Sequence, residues 1–243
     1  MEVPQKKHKQ IKVGKAGKAK NRKRFGEKAH KLVPKEAVFR SCRQSFRTNY
    51  VFYVCLLGSC LILSFGRKRG LWGGLQILCT FVYVSLLGYL SHWLTHKFSL
   101  PGLLAGSNNI LRHIPIVRTI AKALCKAVDF HHEIHHDTKI NKRSINVLCE
   151  FLHNFIIQGL SPWLQSKMSR LVDERACLIW GLLYAIGHNV NYSIWPPSTH
   201  RDHHLDNSTN FGLDMYDIMF GTKYDLKDVE DFNHLGLTLV VIS

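Results

Sequence analysis

The 243-residue chain carries 33 Lys and Arg against 17 Asp and Glu, a net charge of +16, and its length suits one good-sized domain plus a tail. Sixteen of the basic residues but only Glu2, Glu27 and Glu36 among the acidic ones fall in residues 1–48, so this stretch holds +13 and the other 195 residues only +3. A polyanion-binding role is therefore confined to the N-terminal stretch, and seven cysteines without a CxxC pair argue against both a disulfide framework and a thiolate metal site.

Taken in chain order, residues 1–48 form a basic tail that includes Lys20-Asn21-Arg22-Lys23-Arg24 and few large apolar residues. Such a segment cannot bury a core and is expected to be disordered. Nucleic-acid contact, attraction to anionic lipid at about 1 kcal/mol per basic residue and a solvated topology signal compete for it. The apolar runs that follow favour lipid and topology. The first of these begins near residue 50, too far in for a cleavable signal peptide.

Tyr50–Phe65 is 16 residues without a charge, and Leu71–Leu94 is 24. The second clears the length a helix needs to cross a bilayer, about 18 to 20 apolar residues, and the first is short for it. Ile145–Leu160 and Ala176–Ile186 are apolar but shorter or interrupted by Glu150, His153 and Asn154, with a polar loop Ser161–Arg175 between them. A bilayer leaves backbone groups no water to bond, so these runs are expected to be helices. The expected fold is an all-α integral membrane domain over 49–225 with about four transmembrane or membrane-embedded helices, followed by a C-terminal tail at 226–243. By the positive-inside rule the tail is cytosolic, although Arg67-Lys68-Arg69 then faces the lumen. Residues 92–144 and 188–243 return to the cytosolic side, which gathers every histidine cluster on one face.

Those clusters are HxxxH at His92 and His96, HxxHH at His132, His135 and His136 with His131 before it, His188 at the end of the fourth run, and a second HxxHH at His200, His203 and His204. Residues three and four apart share a helix face, so each cluster can present its imidazoles to one side. One zinc takes three or four ligands, and eight or nine convergent histidines point to two metal ions. Neutral imidazole suits iron, zinc, copper and nickel alike. His8, His30, His113 and His234 are isolated and stay unassigned, and His153 is set mid-run as a core histidine. Asp137 and Asp206 follow the triplets and can either accept an N–H from a ligand imidazole, fixing its tautomer, or serve as plain turn carboxylates. His132-Glu133-Ile134-His135-His136 also reads as HExxH, the zinc-protease signature with Glu133 as base. That reading leaves His92, His96, His200 and His203 without a role.

The order HxxxH, HxxHH, HxxHH, followed by Asn210-Phe211-Gly212 and Tyr216-Asp217-Ile218-Met219-Phe220-Gly221-Thr222, resembles the fatty acid hydroxylase and sterol desaturase superfamily of histidine-rich membrane di-iron oxygenases. The likeness covers roughly residues 50–225. It implies that His92, His96, His132, His135, His136, His188, His200, His203 and His204 are ligands or lie in the ligand shell of two iron ions, zinc being the alternative metal. Members often carry a further His about four residues after the one matching His188. Asn191 and Tyr192 stand there instead, and His131 is the available substitute. Asn210 and Asp217 are expected to support the ligands.

The implied activity is hydroxylation or desaturation of a lipid (a fatty acyl chain, a sterol or an alkyl glycerol) with O₂. Unactivated C–H bonds require chemistry supplied by the metal while the protein orients the substrate. The resemblance also implies a separate cytochrome b5-type electron donor with its reductase, since no His-Pro-Gly-Gly haem motif is present, and the basic tail is a candidate dock for an acidic donor. The expected location is the endoplasmic reticulum membrane with the histidines facing the cytosol. The competing readings are an intramembrane zinc protease and a non-catalytic member with a degenerate site.

Overall fold

The computed structural model describes residues 34–66, 68–97, 119, 144–169, 171–189 and 197–243, the side chains of 144–146 excepted. Among them regular structure is entirely helical. Residues 35–48, expected to continue the disordered tail, instead form helix α1 (Lys35–Thr48). Glu36 in its first turn and Arg47 in its last both complement the helix dipole. Its small residues Ser41 and Ser45 face inward, and the Ser41 hydroxyl donates to the Leu226 carbonyl at 2.7 Å.

Asn49 ends α1 and starts a 64° bend into α2 (Tyr50–Phe65). Its side-chain amide donates to the Ser45 and Glu230 carbonyls at 3.1 and 2.9 Å, and its carbonyl oxygen accepts the Phe232 N–H at 2.8 Å. Asn233 reciprocates, donating to the Thr48 carbonyl at 2.6 Å and accepting the Phe52 N–H at 3.1 Å. The bend is thus pinned by two asparagines from opposite ends of the sequence. The expected C-terminal tail is not one: residues 230–233 make this clasp, and α9 (Asn233–Ile242) packs along α2.

α3 (Gly70–Lys97) returns alongside α2 after a tight turn with Lys68 and Gly70 at positive φ. At 28 residues it is about 42 Å long. Among the described residues it is the one helix long and apolar enough by itself to cross a membrane, and the bent pair α1–α2 passes the same test taken together. Leu71, Trp72, Leu75 and Val82 of α3 and Val54, Leu57 and Phe65 of α2 all point outward. Exposed apolar surface of this extent marks a lipid or protein contact.

The two shorter apolar runs, expected to be helices, pack together as a second hairpin with different bounds. α4 (Ser144–Phe155) runs through a π-helical turn (Ile156–Leu160) into α5 (Ser161–Ser166), so half of the expected loop is helix. Pro162 explains the π turn: it cannot donate to the Gln158 carbonyl, and widening the preceding turn spares the clash. α6 (Glu174–Asn189) starts at Asp173, whose carboxylate accepts the Arg175 and Ala176 N–H groups at 3.0 and 3.1 Å. It crosses the π turn so closely that a Cβ on Gly181 would lie 2.2 Å from the Gly159 Cα. The core, including Phe52, Ile77, Phe81, Trp180, Leu183 and Leu239, joins α2, α3, α6 and α9. Two short helices, α7 (Ser198–Leu205) and α8 (Asp214–Phe220), complete the described chain.

Arg69, just before α3, pairs with Asp173, just before α6, at 3.0 Å. Toward the other ends of the two helices, His92 and His188 line one cavity, so α3 and α6 run in the same direction.

Candidate metal centre

His92 and His96 lie one turn apart in the last turns of α3, and His203 lies in the last turn of α7. Helix C-termini carry partial negative charge and favour a cation. The three rings form a near-equilateral triangle with centroids 5.1, 4.8 and 4.8 Å apart. One nitrogen from each can be chosen so that all three lie within 4.8 Å of one another, a group that can hold a metal ion. His203 is fully buried, whereas His92 and His96 are half-buried.

The tautomers are set by backbone carbonyls. His92 Nδ1 lies 2.6 Å from the Phe211 carbonyl and His203 Nδ1 lies 2.5 Å from the Thr209 carbonyl. A carbonyl only accepts, so both rings carry their hydrogen on Nδ1 and turn a lone pair outward from Nε2. His92 Nε2 and His96 Nε2 are 3.2 Å apart. Two nitrogens bound about 2.1 Å from one ion, at angles between square and tetrahedral, are about 3.0–3.4 Å apart. The described residues fit a metal.

His200 and His204 form a second pair on α7, with Nε2 atoms 2.8 Å apart. His188, at the end of α6, lies 6.3 Å from His200 by ring centroids, and its Nδ1 is 3.3 Å from the Glu150 carboxylate on α4. His188 and Glu150 are both buried. A cavity lies between the two groups, walled by His92, His188 and His200 together with Tyr89, Trp180 and Tyr184.

The segment after α7 explains why two carbonyls reach two histidines. Among the described residues Asp206 bonds no imidazole; its carboxylate accepts from the Ser208 N–H and hydroxyl, and its carbonyl from the Thr209 hydroxyl, shaping the turn that aims the Thr209 carbonyl at His203. Asn210 takes a positive φ of 54°, which asparagine tolerates better than most residues. It ties three strands of chain together, donating to the Thr199 carbonyl at 2.8 Å and accepting the Tyr224 N–H at 3.0 Å. Asp217 accepts the Phe211 and Gly212 N–H groups at 2.9 and 3.1 Å and the Thr222 hydroxyl at 2.7 Å. Gly221, at φ 71°, ends α8 in the left-handed conformation that lets the Thr222 N–H reach back to the Asp217 carbonyl.

Beneath this loop lies a buried polar layer. Lys223 pairs with Asp214, the second Asp214 oxygen accepts the Glu230 N–H at 2.7 Å, and the Glu230 carboxylate accepts the Thr199 hydroxyl at 2.8 Å, next to His200. Burial pushes Asp217 up to about 6 against the opposing pull of its three donors. Burial, with Asp214 nearby, pushes Glu230 up to about 7.

Of the sequence candidates, His92, His96 and His203 converge, His188, His200 and His204 sit beside them, and Asn210 and Asp217 brace the loop. His131, His132, His135, His136, Asp137 and Asn191 lie outside the described residues. Sequence reading missed Glu150, which it treated as a break in an apolar run; an ionisable residue inside such a run is a site signal in its own right. It also missed Glu230, placed in a supposed tail, and the carbonyls of Thr209 and Phe211, which no side-chain motif announces. Six cysteines are free thiols among the described residues; Cys60 and Cys177 are buried, while Cys79 is exposed.

No protein-family model matches the chain, and comparison with curated proteins and with solved structures finds no match.

Proposed function

We propose that this chain is an integral-membrane oxygenase that hydroxylates or desaturates a lipid with O₂. The observation that carries the reading is the meeting of His92 and His96 with His203. They come from clusters 107 residues apart in sequence, and backbone carbonyls orient two of them for metal binding. A zinc protease built on His132, Glu133 and His136 would give that triangle nothing to do.

In this proposal His92, His96 and His203 hold one iron ion. His188, His200 and His204 contribute to a second, with His132, His135 and His136 completing the set as the resemblance to the fatty acid hydroxylase superfamily implies. Bound iron supplies the oxidising power that C–H cleavage needs. The protein's part is orientation. The Thr209 and Phe211 carbonyls keep two ring hydrogens off the metal-facing nitrogens, the Glu150 carboxylate lies 3.3 Å from His188 Nδ1, and Trp180 and Tyr184 give the lipid an apolar wall beside the histidines. In the same proposal α2, α3 and the α4–α6 layer form the four membrane-embedded segments, the site faces the cytosol at the endoplasmic reticulum, and a cytochrome b5-type protein supplies electrons.

Metal content per chain of detergent-purified protein is the direct test, with His203→Ala as control. About two irons per chain, falling in the variant, followed by O₂-dependent loss of C–H from a lipid extract, is the expected result. One zinc per chain retained in His203→Ala would sink the oxygenase.

A further inference from the structure

Helix α1 carries an apolar stripe that stays largely exposed. Phe39 is 73 % exposed, Phe46 55 % and Tyr50 59 %. Phe39 and Phe46, seven residues apart, fall on one side of α1, and Tyr50 follows beyond the bend as the first residue of α2. Arg43 borders the stripe, and Arg40 and Arg47 lie a further step round, all three exposed. The opposite flank, Ser41 and Ser45, is buried against the protein.

We propose that α1 lies in the plane of the membrane surface and binds anionic lipid, its aromatic stripe in the acyl boundary and its three arginines on headgroup phosphates. The elbow at Asn49 gives the direction. Phe46 stacks on Tyr53 of α2, with ring centroids 5.0 Å apart and planes 18° from parallel. Phe46 is therefore on the inside of the bend, and its face of α1 looks along the path that α2 takes. If α2 enters the bilayer, the stripe faces the bilayer.

The angle agrees. A 64° bend leaves about 26° for the tilt of α2, close to the roughly 20° usual for spanning helices. The bend is also fixed, because Asn49 and Asn233 bond across it in both directions. Arginines beside an interfacial stripe can lay their stems on apolar surface while the guanidinium reaches phosphate. The 13 further Lys and Arg before residue 40 act in the same sense near an anionic leaflet. The inference depends on α2 and α3 entering the membrane but not on the oxygenase reading.

The test uses the full chain reconstituted in vesicles of phosphatidylcholine with or without 30 % phosphatidylserine, its acyl chains brominated near the headgroup. Tryptophan is placed at three exposed positions, Phe39→Trp on the stripe, Gln44→Trp away from it and Leu57→Trp on α2, and wild-type emission is subtracted. Phe39→Trp should be quenched at least twofold more than Gln44→Trp, more strongly with phosphatidylserine present. Arg40→Ala/Arg43→Ala/Arg47→Ala should abolish that difference, since three arginines at about 1 kcal/mol each shift docking roughly 100-fold. Quenching at Leu57→Trp with none at Phe39→Trp would overturn the inference while leaving the membrane reading intact. No quenching at Leu57→Trp would remove both. A blue-shifted but unquenched Phe39→Trp would put a protein partner on the stripe and overturn the lipid assignment. Equal quenching with and without phosphatidylserine would remove its anionic part.

Discussion

His92 gives its Nδ1 hydrogen to the carbonyl of Phe211, 2.6 Å away and 119 residues later in the chain, and Asp217 holds the Phe211 N–H at 2.9 Å. The chain's motif after the second HxxHH is thus a bracket for a histidine of the HxxxH pair. Asp217→Ala leaves two N–H groups and a hydroxyl without their acceptor, at about 1–3 kcal/mol for each that stays buried. Stability should fall by at least 2 kcal/mol. In protein that still folds, metal affinity should drop 10–100-fold, the usual effect of removing a ligand's support. Chelator competition checks this, with Asp217→Asn expected to be milder because its side-chain oxygen can still accept.

Glu150 makes a second prediction. Its carboxylate lies 3.3 Å from His188 Nδ1 with both groups buried. Glu150→Gln keeps the shape and removes the charge. If Glu150 sets the His188 ring, the variant should keep its helical content and lose roughly half of its metal, with the His92, His96 and His203 group retaining its share. Unchanged metal content would reduce Glu150 to a packing residue.

How much of this was legible in the sequence follows from which forces are local. The apolar runs marked out α2 and α3, the second because an uncharged stretch longer than about 18 residues has few alternatives and the first because its 16 residues carry no charge. The clusters named the ligands, because spacing of three and four gives a shared face without tertiary knowledge. The pairing was not legible. That His92 and His96 meet His203 depends on contacts such as that of His92 Nδ1 with the Phe211 carbonyl, 119 residues apart in the chain. Boundaries failed where polar residues serve the fold: α1 looked like tail because its buried face is serine, and residues 226–243 looked like tail because Asn233 and Glu230 bond to segments nearly 200 and about 30 residues away.

The buried carboxylates set a pH dependence. Glu230 rises to about 7 and Asp217 to about 6, chiefly through burial. A carboxyl raised on folding contributes stability that is complete below its unfolded value near 4 and is lost as pH climbs through the folded value. The melting temperature of metal-free protein should therefore fall between about pH 4 and pH 7, for Glu230 by the equivalent of on the order of 2–3 kcal/mol. Glu230→Gln mimics the neutral form and should flatten most of that slope, as thermal melts across the range would reveal.

Glu133→Gln separates oxygenase from protease. A protease needs Glu133 as base and should lose essentially all activity, whereas an oxygenase should tolerate the change within a few-fold. His203→Ala behaves oppositely, abolishing metal binding by the His92, His96 and His203 group and any activity that depends on it. Running both on one lipid-oxidation assay and one peptide-cleavage assay separates the readings at two points: lipid oxidation kept by Glu133→Gln marks the oxygenase, and peptide cleavage kept by His203→Ala marks the protease.

The final prediction concerns the crossing that holds the second hairpin together. Gly181 on α6 meets Gly159 in the π turn so closely that an alanine Cβ would sit 2.2 Å from the Gly159 Cα and 2.5 Å from its nitrogen. Both obstacles are backbone, so no rotamer change relieves them. Gly181→Ala must push α6 away from α4, and overpacking of this kind costs 1–3 kcal/mol or more. His188 is two turns further along α6 and Glu150 is on α4, so the separation should also widen the Glu150–His188 contact. The variant should therefore lose thermal stability and metal in parallel. Gly58→Ala, where nothing lies within 4 Å of the added carbon, should change neither.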